Sequence, residues 1–526
     1  MHSSPFGGNL PHRAIRSPRN ARPKLVEIHS AKDNRAANLA FEVTLMRRAI
    51  LFLCAFGLLS TAAHAQSSAR LSPAVRHFVK VDAPVVVLAH VRVIDGTGSA
   101  ARADQSVVIQ DGKIITIGDA ATVKTPDNAK VLDLSGYSVI PGLVGMHNHL
   151  NYTADLSSDP PGQLVNTVMF SAPRLYLAAG VTTMRTTGSH EPYAEINLKR
   201  KIDAGQSPGP KIDVTGPHLE GPDSVLIQVH ELTGPDDARR MVNFWADAGA
   251  TSFKAFMNIT RDELRAAAEE AHKRHLKITG HLCSVGFRDA VEAGIDNLEH
   301  GFLTDTDFVP GKKPDECPGG LGGGTFSQLD PNSSQVQELF RLLTDHHVAI
   351  TSTLPVFECF VPGRPPLQQR VLDALLPEAR VNYLTARVQV HSNPQNGFAA
   401  IFKKEMELER AFVQAGGLLL SGPDPSGIGG TLPGYGDQRG VELLVEAGFT
   451  PVEAIRIATL NGAQFEGLAD TIGTLAPGKV ADIVVIHGDP STKIDDIEKV
   501  EIVFKNGIGY DPAKLIESVR GVVGLR

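Results

Sequence analysis

The sequence predicts an α/β protein, a (β/α)8 TIM barrel carrying a small β-sandwich domain built from both chain ends. Three observations predict it. Short Val/Ile-rich runs with Asp-Gly and Ser-Gly turns fill the stretch before residue 140 and return after residue 466. Between them, strand-like and helix-like runs alternate. The chain is 526 residues long, more than one core normally serves, so a large domain with a smaller companion is expected. No Gly-x-Gly-x-x-Gly fingerprint supports the competing doubly wound sheet.

Residues 1–45 are polar, contain Arg and Pro, and lack periodicity, so they read as a disordered leader or an over-long start. Residues 46–65 read as a secretory signal peptide. Met46-Arg47-Arg48 is its basic start, Ala49 to Leu59 its apolar run, and Ala63-His64-Ala65 its small-x-small exit before Gln66. The mature protein is therefore expected to be exported, periplasmic or secreted, with no membrane span after signal removal. Residues 66–140 form the first part of the sandwich, in "PVVVLAHVRVIDG", "SVVIQDGKIITIG" and "KVLDLSGYSVIPG". Residues 141–465 form the barrel, and 466–526 return to the sandwich with "ADIVVIHGD" and "VEIVFKNGIGY".

Barrel strands are read in "VIPGLVGMHNHL", "GVTTMRTTG", "PKIDVTG", "TSFKAFM", "KITGHL", "NLEHGF", "VAITSTL" and "GGLLLSGPD". Helices intervene. "PDDARRMVNFWADAG" opens on Pro-Asp-Asp and closes on Gly249, and "TRDELRAAAEEAHKRH" opens with Thr260-x-x-Glu263, a capping box. The formal charge of -7 argues against a nucleic-acid partner and leaves a small-molecule substrate, with homo-oligomerisation open.

In such a barrel chemistry gathers at the C-terminal ends of the strands. His147 and His149 end the first, and residues i and i+2 of a strand project to one side, so the two imidazoles can chelate. Paired histidines are also often solvated or merely packed. The same residue types recur, however, with His281 closing "KITGHL", His300 closing "NLEHG" and Asp424 following "GGLLLSGPD". Imidazole with carboxylate suits zinc and similar metals, although core histidines and a turn-forming aspartate would give the same letters. Lys254 lies inside an apolar strand, where burial lowers an ammonium pKa. Its neutral amine can take up carbon dioxide as a carbamate that bridges two metals; the alternative is a lysine paired with a carboxylate.

Four histidines, a lysine and an aspartate at these strand positions resemble the metal-dependent amidohydrolase superfamily, specifically its imidazolonepropionase-related, Xaa-Pro dipeptidase-like branch. Supporting stretches are "VIPGLVGMHNHL", "AGVTTMRTTG", "GIDNLEHG" and "TLNGAQFEGLADTIGTLAPGKVADIVVI". The resemblance implies two divalent metal ions, zinc being expected. His147, His149 and Asp424 would hold the buried one, His281 and His300 the exposed one, and carboxylated Lys254 would bridge them. Asp424 would be the catalytic proton carrier. The chain departs from the pattern at Gly145 and Thr186, where aspartates are usual, and in Gly-Pro-Asp for Gly-Thr-Asp at the eighth strand.

The implied reaction is hydrolysis of amide bonds in dipeptides or N-acyl amino acids, as in carboxypeptidases and ochratoxin-type amidases. Lactone, phosphotriester or cyclic imidazolone hydrolysis on the same scaffold is the alternative, and a non-catalytic scaffold a remote one. Tyr152, His218, His230 and Arg364 are substrate-binding candidates near other strand ends, and the Gly- and Pro-rich loop from Thr304 to Pro331 reads as a lid or a surface insertion. Removal of Cys54 with the signal leaves Cys283, Cys317 and Cys359; Cys317 and Cys359, both in Pro-rich loops, can pair as a disulfide in an oxidising compartment, free buried thiols being the alternative. N-terminal sequencing of the exported protein should give Gln66 as its first residue; retention of Met1 would refute the processing site.

Overall fold

The computed structural model describes residues 70–153, 165–224, 226–318, 325–426 and 430–524, all within one unit, Ala65–Arg526. The signal-peptide segment, residues 46–65, and the leader lie outside the described residues. Both chain ends meet in one nine-stranded mixed sheet. Its centre joins Tyr137–Pro141 to Ile483–His487 in antiparallel register, with Ile483 opposite Pro141. Val85–Val93 pairs on one side with Arg102–Gln110 and on the other runs parallel to Tyr137–Pro141. Alternation sends Val86 and Leu88 into one apolar cluster and Val85 and Val87 into another, and the irregularity between Leu88 and Val91 returns Val91 and Val93 to the first.

The parallel strands follow. β1 (Leu143–Asn148), β2 (Val181–Thr186) and β3 (Lys211–Asp213) form a three-stranded parallel sheet. β4 (Thr215–Leu219), β5 (Ser252–Ala255), β6 (Lys277–Gly280), β7 (Asn297–Glu299), β8 (Ala349–Ser352) and β9 (Leu419–Ser421) form a six-stranded one. β3 and β4 are nearly continuous, and a parallel bridge from Ser189 to Pro217 also links the two sheets. At the far side the Asp424 N–H donates to the His147 carbonyl at 3.1 Å, joining the segment after β9 to β1.

The helices between strands are capped as their sequences require. The Thr260 hydroxyl accepts from the Glu263 N–H while the Glu263 carboxylate accepts from the Thr260 N–H, closing the box ahead of Arg261–Lys273. Gly249 ends the helix Pro235–Ala248 at φ 118°, a conformation open to glycine and costly elsewhere. Among the described residues no helix is long and apolar enough to cross a membrane.

One strand is irregular where it matters. Gly145 pairs with Met184 and Asn148 with Thr186, so β1 carries one more residue than β2 over that interval. Such a bulge re-aims side chains, and it lies immediately around His147.

The cysteine expectation is corrected. Cys283 and Cys317 form the disulfide, with Cα atoms 4.9 Å apart, and Cys359 is a free, buried thiol. Cys359 follows the short buried helix Leu354–Glu358, and its Sγ lies 3.2 Å from the Thr431 hydroxyl. Its Pro-rich neighbours mark a helix start rather than an open loop. The described parts of the 304–331 loop are also tied down. The Arg288 N–H donates to Asp307 (2.9 Å), the Arg261 N–H to Asp315 (2.8 Å), and Lys312 Nζ to the Ser284 carbonyl (2.6 Å). The disulfide spans a sequence separation of 34 residues. Replacing both its cysteines by serine should therefore cost about 2–4 kcal/mol in denaturant unfolding, and an unchanged midpoint would show the bridge to be dispensable.

Candidate metal centre

Six strand positions supply the cluster. His147 and His149 straddle the end of β1, Lys254 sits within β5, His281 follows β6, His300 follows β7, and Asp424 follows β9. Asp424 Oδ1 lies 3.1 Å from His149 Nε2 and 3.7 Å from His147 Nε2, and its Oδ2 lies 3.9 Å from His300 Nδ1. Ring centroids are 4.6 Å apart for His147 and His300, and 4.3 Å for His281 and His300. Ligand atoms of His147, His300 and Asp424 all lie within 4.8 Å of one another.

The backbone is shaped for this convergence. A Cβ on Gly422 would overlap the backbone of His147, so only glycine lets the segment after β9 approach β1. His300 and Asp424 themselves adopt φ of 68° and 52°, left-handed conformations that cost energy for residues with side chains and cluster at functional sites.

Burial sets the protonation. Desolvation, reinforced by Lys254, pushes the His147 imidazole down to about 4 although Glu299 and Asp424 pull the other way. Desolvation likewise takes His281 to about 3 and His300 well below its usual value. Burial alone would raise the Asp424 carboxyl, but His147 and His149 outweigh it and hold it well below the carboxylate range. Desolvation lowers the Lys254 amine to about 8, against the pull of Glu299 and Asp424.

Neutral imidazoles with unused lone pairs are what a metal requires. Nε2 of His147 and of His300 are buried without a hydrogen-bond partner, an omission proteins rarely tolerate without a ligand. The donor set of imidazoles and one carboxylate fits a borderline divalent cation such as zinc.

A second layer orients the first. His147 Nδ1 lies 2.7 Å from Glu299 Oε2, and Arg185 Nη2 donates to Glu299 Oε1 at 2.8 Å. The Thr279 hydroxyl also donates to Glu299. The same Arg185 nitrogen donates to the Met146 carbonyl at 2.8 Å, inside the β1 bulge. His300 Nδ1 lies 2.9 Å from the Thr353 hydroxyl, which leaves its Nε2 as the free nitrogen. Glu299, Arg185 and Thr353 were not singled out by the residue pattern; Glu299 stands beside His300 in "NLEHG" and carried the only available signal.

Comparison with known proteins bears on the family. The profile of the amidohydrolase family matches residues 138–309 and 436–508. Over those residues the chain carries the amidohydrolase family's pattern. It is 24% identical over 402 residues to an N-acetylgalactosamine-6-phosphate deacetylase of Escherichia coli O157:H7, covering 73% of this chain and 90% of the deacetylase. Among solved structures it is similar to a Xaa-Pro dipeptidase with bound methionine (TM-score 0.61, 19% identity, 81% of this chain and 100% of the other). It is also similar to A. niger ochratoxinase (TM-score 0.57, 18% identity, 84% of this chain and 100% of the other). These likenesses show a TIM-barrel-type α/β fold, and this amidohydrolase is an enzyme of a generally metal-dependent hydrolase family acting on amide-type C–N bonds.

The four substrate candidates of this amidohydrolase part company. His218 is buried beside Phe256 and His190, ring centroids 4.6 and 5.0 Å away, and Nδ1 of both histidines lacks a partner. His190, in the loop after β2, is an addition that the strand pattern gave no reason to choose. Tyr152 is buried, its phenol raised by desolvation and by the nearby Tyr383. His230 is half-exposed and pairs with Asp237 at 2.9 Å, and the Arg364 guanidinium is taken up by Glu358 and Glu446. Both of these serve local structure.

Behind His300 sit two buried carboxyls on the helix Phe398–Gln414. Glu405 accepts the Phe302 N–H (2.9 Å) and Glu409 accepts the Ser352 hydroxyl (2.9 Å). Desolvation raises Glu409 from 4.5 to about 8. The folded chain thus keeps a proton that the unfolded chain releases, and stability falls as pH climbs from about 4.5 to about 8. Glu409→Gln should therefore gain in melting temperature relative to the parent as pH rises through that window; a pH-independent difference would contradict the assignment.

Proposed function

We propose that this amidohydrolase is an exported, binuclear metal-dependent hydrolase of amide bonds in dipeptides or N-acyl amino acids. The observation that carries the reading is the convergence of His147, His149, Lys254, His281, His300 and Asp424 from separate strands, with unpartnered ring nitrogens at its centre. In this reading the two parallel sheets are arcs of one (β/α)8 barrel spanning 141–465, and the nine-stranded sheet folds over as the small sandwich of 66–140 and 466–526. The Cys283–Cys317 disulfide supports an oxidising compartment.

His147, His149 and Asp424 would hold one cation and His281 and His300 the other, both zinc in the simplest case. The amine of Lys254, brought by burial to about 8, would attack carbon dioxide, form an N–C bond and lose a proton, giving a carbamate between them. Divalent metals supply Lewis-acid polarisation of a carbonyl and a more acidic water.

The chain's own groups do the rest. Asp424, held ionised beside the imidazoles, accepts the proton of the attacking water as the new C–O bond forms, then delivers it to the leaving nitrogen as the C–N bond breaks. His190 and His218, neutral by burial and with free Nδ1 atoms, offer ring N–H donors to a substrate carboxylate. Relatives named for a Xaa-Pro dipeptide, for ochratoxin and for an N-acetyl group are consistent with an amide substrate.

A panel of dipeptides and N-acyl amino acids, with lactones and phosphotriesters as controls, tests the substrate class. Amide turnover should disappear on chelation, return with zinc, and fall by orders of magnitude in Lys254→Ala. Carbon-13 bicarbonate should label one carbamate per chain in the parent and none in that variant. Turnover confined to the lactones or phosphotriesters would overturn the reading.

A further inference from the structure

The bulge in β1 is held from outside as well as inside. Residues 145 and 148 would lie on opposite faces of a regular three-step run, but the extra residue brings them together. A Cβ on Gly145 would collide with Asn148 Nδ2 and come within 2.6 Å of Asp437 Oδ1. Asn148 Nδ2 donates to that same Asp437 oxygen at 3.2 Å, while Asp437 Oδ2 accepts the Gly434 N–H at 3.0 Å. The Asn148 carbonyl accepts the Thr187 N–H at 2.9 Å. Asn148 and Asp437 are 0% and 5% exposed, so neither bond is open to replacement by bulk water. Asn148 stands between the two histidines in sequence, and its side chain ties the His-Asn-His run to the helix Tyr435–Glu446.

We propose that Asp437 is a positioning residue for His147 and His149. It acts through Asn148, locking the bulge that aims the pair of imidazoles at the cluster, and it occupies space that exists only because residue 145 is glycine. The carboxylate that the family pattern places at position 145 is thus replaced here by one arriving from the helix after β9. The inference rests on the reading of His147 and His149 as metal ligands.

The test compares zinc retention against a competing chelator and the visible spectrum of the cobalt-substituted protein, with circular dichroism and melting curves as folding controls. Asn148→Ala leaves the Gly434 cap intact, and Asp437→Asn can keep it while removing the acceptor for Asn148. Both should bind zinc about 10- to 100-fold more weakly and shift the cobalt bands while remaining folded. Gly145→Asp alone should be worse, with two carboxyls crowding one space, and Gly145→Asp with Asp437→Gly should recover at least tenfold over it.

Unchanged zinc affinity in folded Asn148→Ala, or a double variant no better than Gly145→Asp alone, would overturn the proposal. If Asp437→Asn does not fold, Asn148→Ala decides. His147→Ala and His149→Ala serve as the reference: zinc binding unaffected by them would sink the ligand reading itself and this proposal with it, a result distinct from failure of Asp437 alone.

Discussion

A buried carboxylate, Glu299, is the constraint on which the arrangement of the site depends. It is fully buried, and it is balanced by Arg185, which is equally enclosed. A charge so placed is tolerable only while its partners stay in position, since removing one side of a buried pair costs about 3–5 kcal/mol. That cost is converted into geometry. Glu299 fixes Nδ1 of His147 and so directs Nε2 toward Asp424, while Arg185 spans from Glu299 to the Met146 carbonyl and ties β7 to the bulge in β1.

The bulge explains both the success and the gap in the sequence reading. That His147 and His149 face one way follows from simple alternation, and alternation survives for that pair. It fails for Gly145 and Asn148, because an inserted residue leaves no mark in composition or periodicity. The alternating strands and helices, and the residue types at strand ends, were legible because each is a local pattern. Glu299 was not, because an acidic residue in a short apolar strand means something only once Arg185 is seen opposite it, 114 positions earlier.

The same distinction accounts for the cysteines and for the outlying polar residues. Cys359 looked loop-bound from its prolines, yet Pro355 opens a buried helical turn, and Cys283, two positions after His281, is the residue within reach of Cys317. Arg364 and His230 are polar groups near strand ends, but each is taken up by the nearest carboxylate, here Glu446 and Asp237. Cationic side chains in loops are weak guides to a substrate for that reason.

Five of the buried carboxyls show two electrostatic situations, and their placement bears on what the mouth attracts. Glu299 and Asp424 lie beside cationic or imidazole groups and are held below the usual range. Glu195 and Glu409, pushed by burial to about 8, and Asp437, pushed to about 7, are surrounded by hydrogen-bond donors without a cation at hand. Near neutral pH Glu299 and Asp424 therefore keep their charge beside the free ring nitrogens, while Glu195 and Glu409 hold their protons. Coulomb attraction in a low-dielectric interior is strong and little screened, so ionised oxygen set beside unprotonated nitrogen suits this cluster to a divalent cation.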